Sequence, residues 1–415
     1  MNYGRGHESA IPAGRWGEAQ EHPNHPRDTA PMNDPSRIPH PPGDGPERRS
    51  GRTPSPAARA RPASVAVIGA GVAGLSAARV LVDHGLRVTV FDKGRAPGGR
   101  ISSRRASRGS DEAWTMDHGA QYFTARDPVL RTHVTSWETD GVVAPWNGRL
   151  VRISEADGVL RVEPATESVR WVGVPEMRAV ARHLADGLDV RCGVRVVALE
   201  PPSDVARGWR IRTGGDRPGE ASGGSERFDA VLLTPPAPQT LELLGSHAPR
   251  ISERLRSIRM RPCWAVMLVL PHAVPVEWDG AFLPGPVLSW VARDSSKPGR
   301  SGSGGEHWVL HATPEWSEEY LEADPDAVAS ALLDAFRSRI RELGEQKLPE
   351  PTERVAHRWR FAIPDPPLEE RALWDAGLGL GVAGDALGGP RVEGAFLSGR
   401  ALAVRLLGAS PMEAR

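Results

Sequence analysis

The chain has 415 residues, room for two or three domains at ~100–200 residues each. Its 52 Lys and Arg are balanced by 52 Asp and Glu, so charge gives no reason to expect nucleic acid or an acidic membrane as a partner. Two cysteines, Cys192 and Cys263, are too few for a disulfide framework and point to a reducing, cytoplasmic setting; no apolar run approaches the ~20 residues of a bilayer span.

Residues 1–62 are dominated by Pro, Gly, Arg and His, with no apolar stretch of a secretory leader. Such a segment cannot bury enough apolar surface to offset its ordering entropy, so it is expected to be disordered, or to precede a later start such as Met32. Order begins with a buried strand, Ser64–Ile68, a tight turn over 69–74, and a helix from Leu75 to His84 closed by Gly85. A second strand, Arg87–Phe91, ends at Asp92 and completes a βαβ unit. A helix Met177–Ala185 and a strand Val190–Leu199 follow. Strands at Trp209–Thr213 and Arg227–Thr234 flank a Gly-rich loop, 214–225. Cys263–Leu270, Val287–Ala292 and Trp308–Thr313 read as strands. Asp326–Leu343 is a helix with Val328, Leu332, Ala335, Phe336 and Ile340 on one face. A strand Gly379–Ala383 and a helix Glu393–Leu407 end the ordered part.

The turn Gly69-Ala70-Gly71-Val72-Ala73-Gly74 is a dinucleotide fingerprint. Gly69 permits the turn, Gly71 lets the backbone approach a pyrophosphate, and Gly74 lets the helix pack on the strand. The helix N-terminus presents free N–H groups to phosphates. Asp92, at the end of the second strand, suits a carboxylate that bonds both ribose hydroxyls, which selects FAD or NAD over NADP. Lys93 follows it, at the adenosine end.

Ala96-Pro97-Gly98-Gly99-Arg100-Ile101-Ser102 resembles the second motif of glutathione-reductase-type flavoproteins, and more narrowly their amine-oxidase branch. The resemblance implies that Gly99 passes beside the ribityl-pyrophosphate and that Arg100 donates to its oxygens. Val382-Ala383-Gly384-Asp385 matches the late Gly-Asp of these families, whose carboxylate bonds a ribityl hydroxyl. Arg391-Val392-Glu393-Gly394-Ala395 matches the final helix start, with Gly394 and Ala395 as donors to the flavin N1/C2=O edge. Val196 is similar to the residue whose backbone meets the adenine. No Cys, Tyr or His fits the covalent-attachment pattern, so FAD is expected to be non-covalent. The chain has neither a second glycine fingerprint for NAD(P)H nor a redox C-x-x-C.

Narrower stretches resemble the renalase-like group of bacterial FAD oxidoreductases: Asp117-His118-Gly119-Ala120-Gln121-Tyr122-Phe123, Pro262-Cys263-Trp264-Ala265, Lys297-Pro298-Gly299-Arg300 and His357-Arg358-Trp359-Arg360. The likeness implies an α/β fold. A Rossmann-type FAD domain would be built from 63–104, 165–240 and 371–412. A substrate domain with a mixed, largely antiparallel sheet would be built from 105–164 and 241–370. It implies oxidation of isomeric NAD(P)H by hydride transfer to FAD, with O₂ as acceptor and hydrogen peroxide as product. Gln121, Tyr122, Trp290 and Trp359 are candidates for the substrate face, where an aromatic ring can stack on a pyridine. Lys297 is the lysine expected to reach the pocket and hold a water near flavin N5, as in amine oxidases; Lys347 reads as a solvated loop residue. His118 and His357 read as hydrogen-bonded structure. Oxidation of an amine, desaturation, and flavin binding without turnover are the competing readings.

Overall fold

The computed structural model describes residues 62–106, 114–165, 168–203, 206–214, 223–300, 305–344 and 348–408. The N-terminal segment expected to be disordered, most of the loop 214–225, and Lys347 lie outside the described residues.

A six-stranded sheet runs in the order Leu373–Asp375, Leu380–Val382, Ala230–Leu233, Ser64–Ile68, Arg87–Asp92, Asp189–Cys192. Its pairs are parallel except at the edge, where Leu373–Asp375 meets Leu380–Val382 antiparallel. The first strand is covered on both faces, as its unbroken apolar run requires. Val65 and Val67 pack against the helices Val72–Asp83 and Val392–Leu407. Ala66 and Ile68 pack against a three-stranded antiparallel sheet, Arg195–Glu200, Trp209–Gly214 and Ser225–Phe228, through Trp209, Ile211 and Phe228. Each large side chain fully removed from water there contributes about 1.5–3 kcal/mol. The two helices touch closely because a Cβ on Gly399 would overlap the Ala73 carbonyl; the Ser76 hydroxyl donates to the Phe396 carbonyl at 2.9 Å.

Two expected strands are each broken in two. The run Val190–Leu199 divides at Gly193, whose φ of +72° turns the chain. Asp189–Cys192 stays in the parallel sheet, and Arg195–Glu200 starts the antiparallel one. Arg227–Thr234 divides at Asp229, and the chain returns to the parallel sheet with Ala230–Leu233. The Asp229 carboxylate accepts from the Ala63 and Ser64 amides and the Ser64 hydroxyl, each at 2.9 Å, which fixes the return beside the first strand. Both breaks therefore carry the chain between the same two sheets.

A seven-stranded sheet runs in the order Glu353–Asp365, Arg259–Leu270, Glu306–Ala312, Leu288–Arg293, Gly280–Phe282, Leu150–Ala156, Val159–Pro164. All pairs are antiparallel except Gly280–Phe282 with Leu150–Ala156. One face buries Trp264, Val266, Trp308 and Leu310 under the helix Pro325–Glu342, which contributes Leu332 and Phe336. That helix is capped by Asp324, which accepts from Asp326 and Ala327. The opposite face carries a register row. His357 pairs with Ala265, Ala265 with His311, His311 with Trp290, and Trp290 with Phe282. Directly opposed residues share a face, so these five side chains lie in one line across five strands. No helix among the described residues is long and apolar enough to cross a membrane.

Candidate functional site

The glycine turn has the geometry its residues require. Gly69 adopts φ +105°, and a Cβ on Gly74 would overlap the Gly69 carbonyl. Val72 and Ala73 are buried in the first turn of the helix, while nothing lies within 4 Å of a Cβ placed on Gly71. Asp92 closes this loop: its Oδ2 accepts from the Ala70 N–H and its Oδ1 from the Gly94 N–H, both at 2.6 Å. Burial pushes the Asp92 carboxyl up, against those two amides and the Lys93 charge. Lys93 itself is exposed. Gly71 bridges Gly98, and a Cβ on Gly99 would stand 3.5 Å from the Gly71 Cα, so the two glycine motifs meet. Val196 is buried in the same cluster as Phe91, on the strand Arg195–Glu200.

Arg100 and Asp385 meet one another: the guanidinium donates to Asp385 Oδ2 at 2.7 Å and Oδ1 at 2.5 Å, and to the Ala362 carbonyl at 3.0 Å. The pair joins the Gly-Gly-Arg motif to the late Gly-Asp, with Gly384 at φ +149°. At the final helix, the Ala395 N–H donates to the Arg391 carbonyl at 3.0 Å, so Ala395 is not one of the free donors expected. The amides without an intrahelical partner are those of Val392, Glu393 and Gly394. Glu393 also departs from expectation. Its Oε1 accepts from the Arg126 and Asp127 amides, at 2.6 and 2.7 Å, and anchors the start of the helix Pro128–Thr139.

Lys297 does not open into a pocket. Its side chain is fully buried, and Nζ lies 2.7 Å from Asp294 Oδ1, 3.1 Å from Gln121 Oε1 and 3.3 Å from Asp117 Oδ2. Arg300 donates to Asp117 Oδ2 and, at 2.8 Å, to the Gly173 carbonyl. Asp117 Oδ1 also accepts from Ser103 and from the Met177 amide, at 2.7 and 2.9 Å. Two acids and two bases thus form a neutral, buried cluster. Burial drives Asp117 up, but Lys297 and Arg300 outweigh it and hold the carboxyl below its ordinary range. Asp294 stays above its range because burial and the neighbouring Asp117 charge oppose the same cations.

The segment Asp117–Phe123 threads past this cluster and distributes its side chains. Gln121 goes to Lys297. Tyr122 goes to an aromatic group with Trp146 at 6.3 Å and Trp290 at 5.7 Å, where Phe282 lies tilted 4.6 Å from Trp290. Lys297 Nζ lies 5.6 Å from the Trp146 ring, which ties the cluster to the aromatics. An open cavity of about 240 Å³, lined by Trp146, Leu150 and Arg170, adjoins them. Trp359 is elsewhere, stacked 5.0 Å from His118 and edge-on to His357 at 4.5 Å, with its Nε1 donating to the His118 carbonyl at 2.8 Å. Trp290 and His357 stand three strands apart in the register row, roughly 14 Å at the spacing of paired strands. The candidate aromatics therefore form two groups on one sheet face. Burial holds all the histidines here neutral: His118 falls to about 3, and His311 and His357 to about 4.

Residues 67–137 match the NAD(P)-binding Rossmann-like domain, and residues 149–407 match the family described as flavin containing amine oxidoreductase. The chain belongs to this family. The oxidoreductase is 25% identical to renalase of Mus musculus over 314 residues, covering 72% of this chain and 84% of that one. It is 27% identical over 287 residues to the tRNA 5-methylaminomethyl-2-thiouridine biosynthesis bifunctional protein MnmC of Thiobacillus denitrificans, covering 66% of this chain but 45% of that protein. Cyclohexylamine oxidase of Brevibacterium oxydans shares the fold, with a TM-score of 0.63 at 12% identity over 84% of this chain and 99% of that one.

The protein is thus an FAD-dependent oxidoreductase of α/β fold. Its residues fit the cofactor: an open backbone at Gly71, a carboxylate at the strand end, a bidentate Arg–Asp pair and a helix N-terminus. Sequence reasoning missed Asp117, Asp294 and His311. Asp294 carried a signal, since it precedes Lys297 by one helical turn. Asp117 opened a family-like stretch but its partners lie far along the chain, and His311 had no signal.

Proposed function

We propose that the protein oxidises isomeric dihydropyridine dinucleotides, passing a hydride to non-covalently held FAD and electrons on to O₂, with hydrogen peroxide as product. The observation that carries this reading is that the charged groups beside the aromatic residues are already engaged with one another. Lys297, Arg300, Asp117 and Asp294 neutralise one another, and His118, His311 and His357 are held uncharged. A dihydropyridine suits such a site. It is already a hydride donor, and its oxidation gains aromaticity without deprotonation by the protein.

The chain's contribution is then positioning and exclusion of water. The half-buried ring of Tyr122, backed by buried Trp290 at 5.7 Å, would supply a surface on which a pyridine can lie, and an aromatic face holds the cationic product more strongly than the neutral substrate. Gln121 is held by Lys297 and by the Asp117 and Gly119 carbonyls, which fixes the chain just before Tyr122. FAD, when bound, supplies the two-electron acceptor. Asp92, Arg100, Asp385 and the amide of Gly394 would hold it, within a cofactor domain built from 63–104, 165–240 and 371–412; segments 105–164 and 241–370 would cover the substrate.

The test is anaerobic mixing of the yellow protein with α-NADH and with 2- and 6-dihydro isomers, following the flavin band near ~450 nm. Prompt bleaching by an isomer, absent with β-NADH and simple amines and reversed by air with release of peroxide, is the expected result. Bleaching by amines alone would move the assignment to amine oxidation. Bleaching by no donor would leave a flavin-binding protein without turnover.

A further inference from the structure

Two adjacent polar atoms on the face of the large sheet are buried without a hydrogen-bond partner among the described residues: Trp290 Nε1 and His311 Nε2. Buried polar groups in folded proteins are paired as a rule, and leaving one unpaired costs its desolvation energy. Trp290 and His311 are directly opposed on neighbouring antiparallel strands, which sets their Cβ atoms about 5 Å apart on one face. Two such atoms side by side call for a shared occupant.

The pair is chemically asymmetric. An indole N–H can only donate. The His311 ring bonds the His118 backbone, and since Nε2 is the unpaired nitrogen, Nδ1 is the one that donates there. Burial keeps the imidazole neutral, with its pKa down at about 4, so its single proton sits on Nδ1 and Nε2 is a bare acceptor. A lone donor and a lone acceptor thus stand together. His311 also has an open side. Glu306–Ala312 is an interior strand, paired on one edge with Arg259–Leu270 and on the other with Leu288–Arg293, yet His311 is partly exposed. The exposed surface belongs to its ring, because the sheet covers its backbone. Its neighbour away from Trp290 is Ala265, too short to cover that ring. The half-buried Tyr122 ring lies 5.7 Å from Trp290.

We infer that Trp290 and His311 form a recognition pair for a primary carboxamide carried on a pyridine ring, with Trp290 donating to its oxygen and His311 accepting from its NH₂. The inference rests on the proposed dihydropyridine substrate and adds the ring substituent that the site selects. All dihydro isomers of NAD(P)H and their common oxidised product carry this carboxamide, so the pair recognises the class wherever the ring is reduced. A substituent with an acceptor but no donor, such as acetyl, leaves His311 unpaired.

The experiment is isothermal calorimetry on the FAD-loaded full-length protein with NAD⁺ and its 3-acetylpyridine analogue, which differ in one NH₂ for CH₃. Both are oxidised, so binding needs no turnover. Wild type should bind NAD⁺ about tenfold or more tighter than the analogue. His311→Leu should bring the two to equal affinity, and His311→Gln, which keeps an acceptor, should restore part of the preference. Trp290→Phe should weaken both ligands by the same factor and keep the preference, because both carry the oxygen. General damage would not separate the two ligands. Equal binding of both by wild type, the result if the two atoms hold only a water, overturns the inference. So does no binding of NAD⁺, or a preference that survives in His311→Leu. If the His311-dependent preference is found but no dihydro isomer bleaches the flavin, the pair stands and the proposed oxidation falls. If isomers bleach the flavin while NAD⁺ and the analogue bind equally, the oxidation stands and the pair falls.

Discussion

Replacing Lys297 by methionine tests the buried cluster most directly. The substitution keeps the aliphatic volume and removes the cation that lies 2.7 Å from Asp294 and 3.3 Å from Asp117. Breaking a buried ion pair from one side typically costs about 3–5 kcal/mol, because the partner charge stays buried. Here the cost has a ceiling. Asp294 can escape by taking up a proton, and from an ordinary carboxyl value of 3.8 that costs about 4 kcal/mol at pH 7. The same escape costs only about 1.6 kcal/mol at pH 5. The variant should therefore lose about 3–4 kcal/mol at pH 7 and about 1–2 kcal/mol at pH 5. Urea unfolding followed by tryptophan fluorescence at both pH values measures this. Adding Asp294→Asn removes the stranded charge and should recover most of the loss. A loss that is equal at the two pH values, or a double variant no more stable than the single, would refute the reasoning.

Three further outcomes follow from the geometry. Gly119→Ala puts a Cβ into the Arg100 carbonyl and 3.4 Å from the Trp359 ring; it should cost about 1–3 kcal/mol and loosen flavin, measured by thermal release of flavin fluorescence. Asp92→Ala removes the acceptor of two 2.6 Å amide bonds, and flavin should be lost on gel filtration with an affinity at least about tenfold lower. For acid stability the sign is set by His118, whose folded value falls from 6.5 to about 3. The unfolded chain binds this proton first, so stability is full above pH 6.5 and falls as pH drops toward 3, with a slope of about 1.4 kcal/mol per pH unit from this residue alone. His311 and His357 act in the same direction. Asp294, raised by burial, acts in the opposite one. A His118→Gln variant should show a shallower acid limb in the same urea assay.

What the sequence made legible was what local chemistry determines. Gly69, Gly71 and Gly74 each answer a constraint within a few residues, and Asp92 ends a strand that its own pattern reveals. The two interrupted strands were hidden for a related reason. An apolar run through Val190–Leu199 looks continuous, and only the tertiary path makes Gly193 a corner between two sheets. Asp229 is a corner because its carboxylate meets Ala63 and Ser64, more than 160 positions away. Lys297 was singled out because lysines are scarce, yet scarcity could not reveal that Asp117, 180 positions earlier, would reach it. The register row from His357 to Phe282 was out of reach for the same cause, since it depends on pairing between strands distant in the chain.

The segment Asp117–Phe123 explains how these parts act together. Asp117 joins the ion cluster, His118 the histidine–tryptophan stack, Gln121 the lysine and Tyr122 the second aromatic group. Ala120 donates to the Arg100 carbonyl at 2.9 Å, and Phe123 pairs with Trp171. Seven consecutive residues are thereby tied to Arg100 at the cofactor motif, to the large sheet and to the loop of Lys297. Only glycine fits at 119, where the chain passes against Arg100. Such a strap cannot move one side chain without disturbing the others, so its groups are preorganised rather than recruited. Its one acid, Asp117, is paired with Lys297 and Arg300 and its histidine is uncharged, so in the proposed reaction the strap would supply orientation and not proton transfer. That combination favours a substrate that needs only to be held in place, which is the physical case for a dihydropyridine over an amine that must first lose a proton.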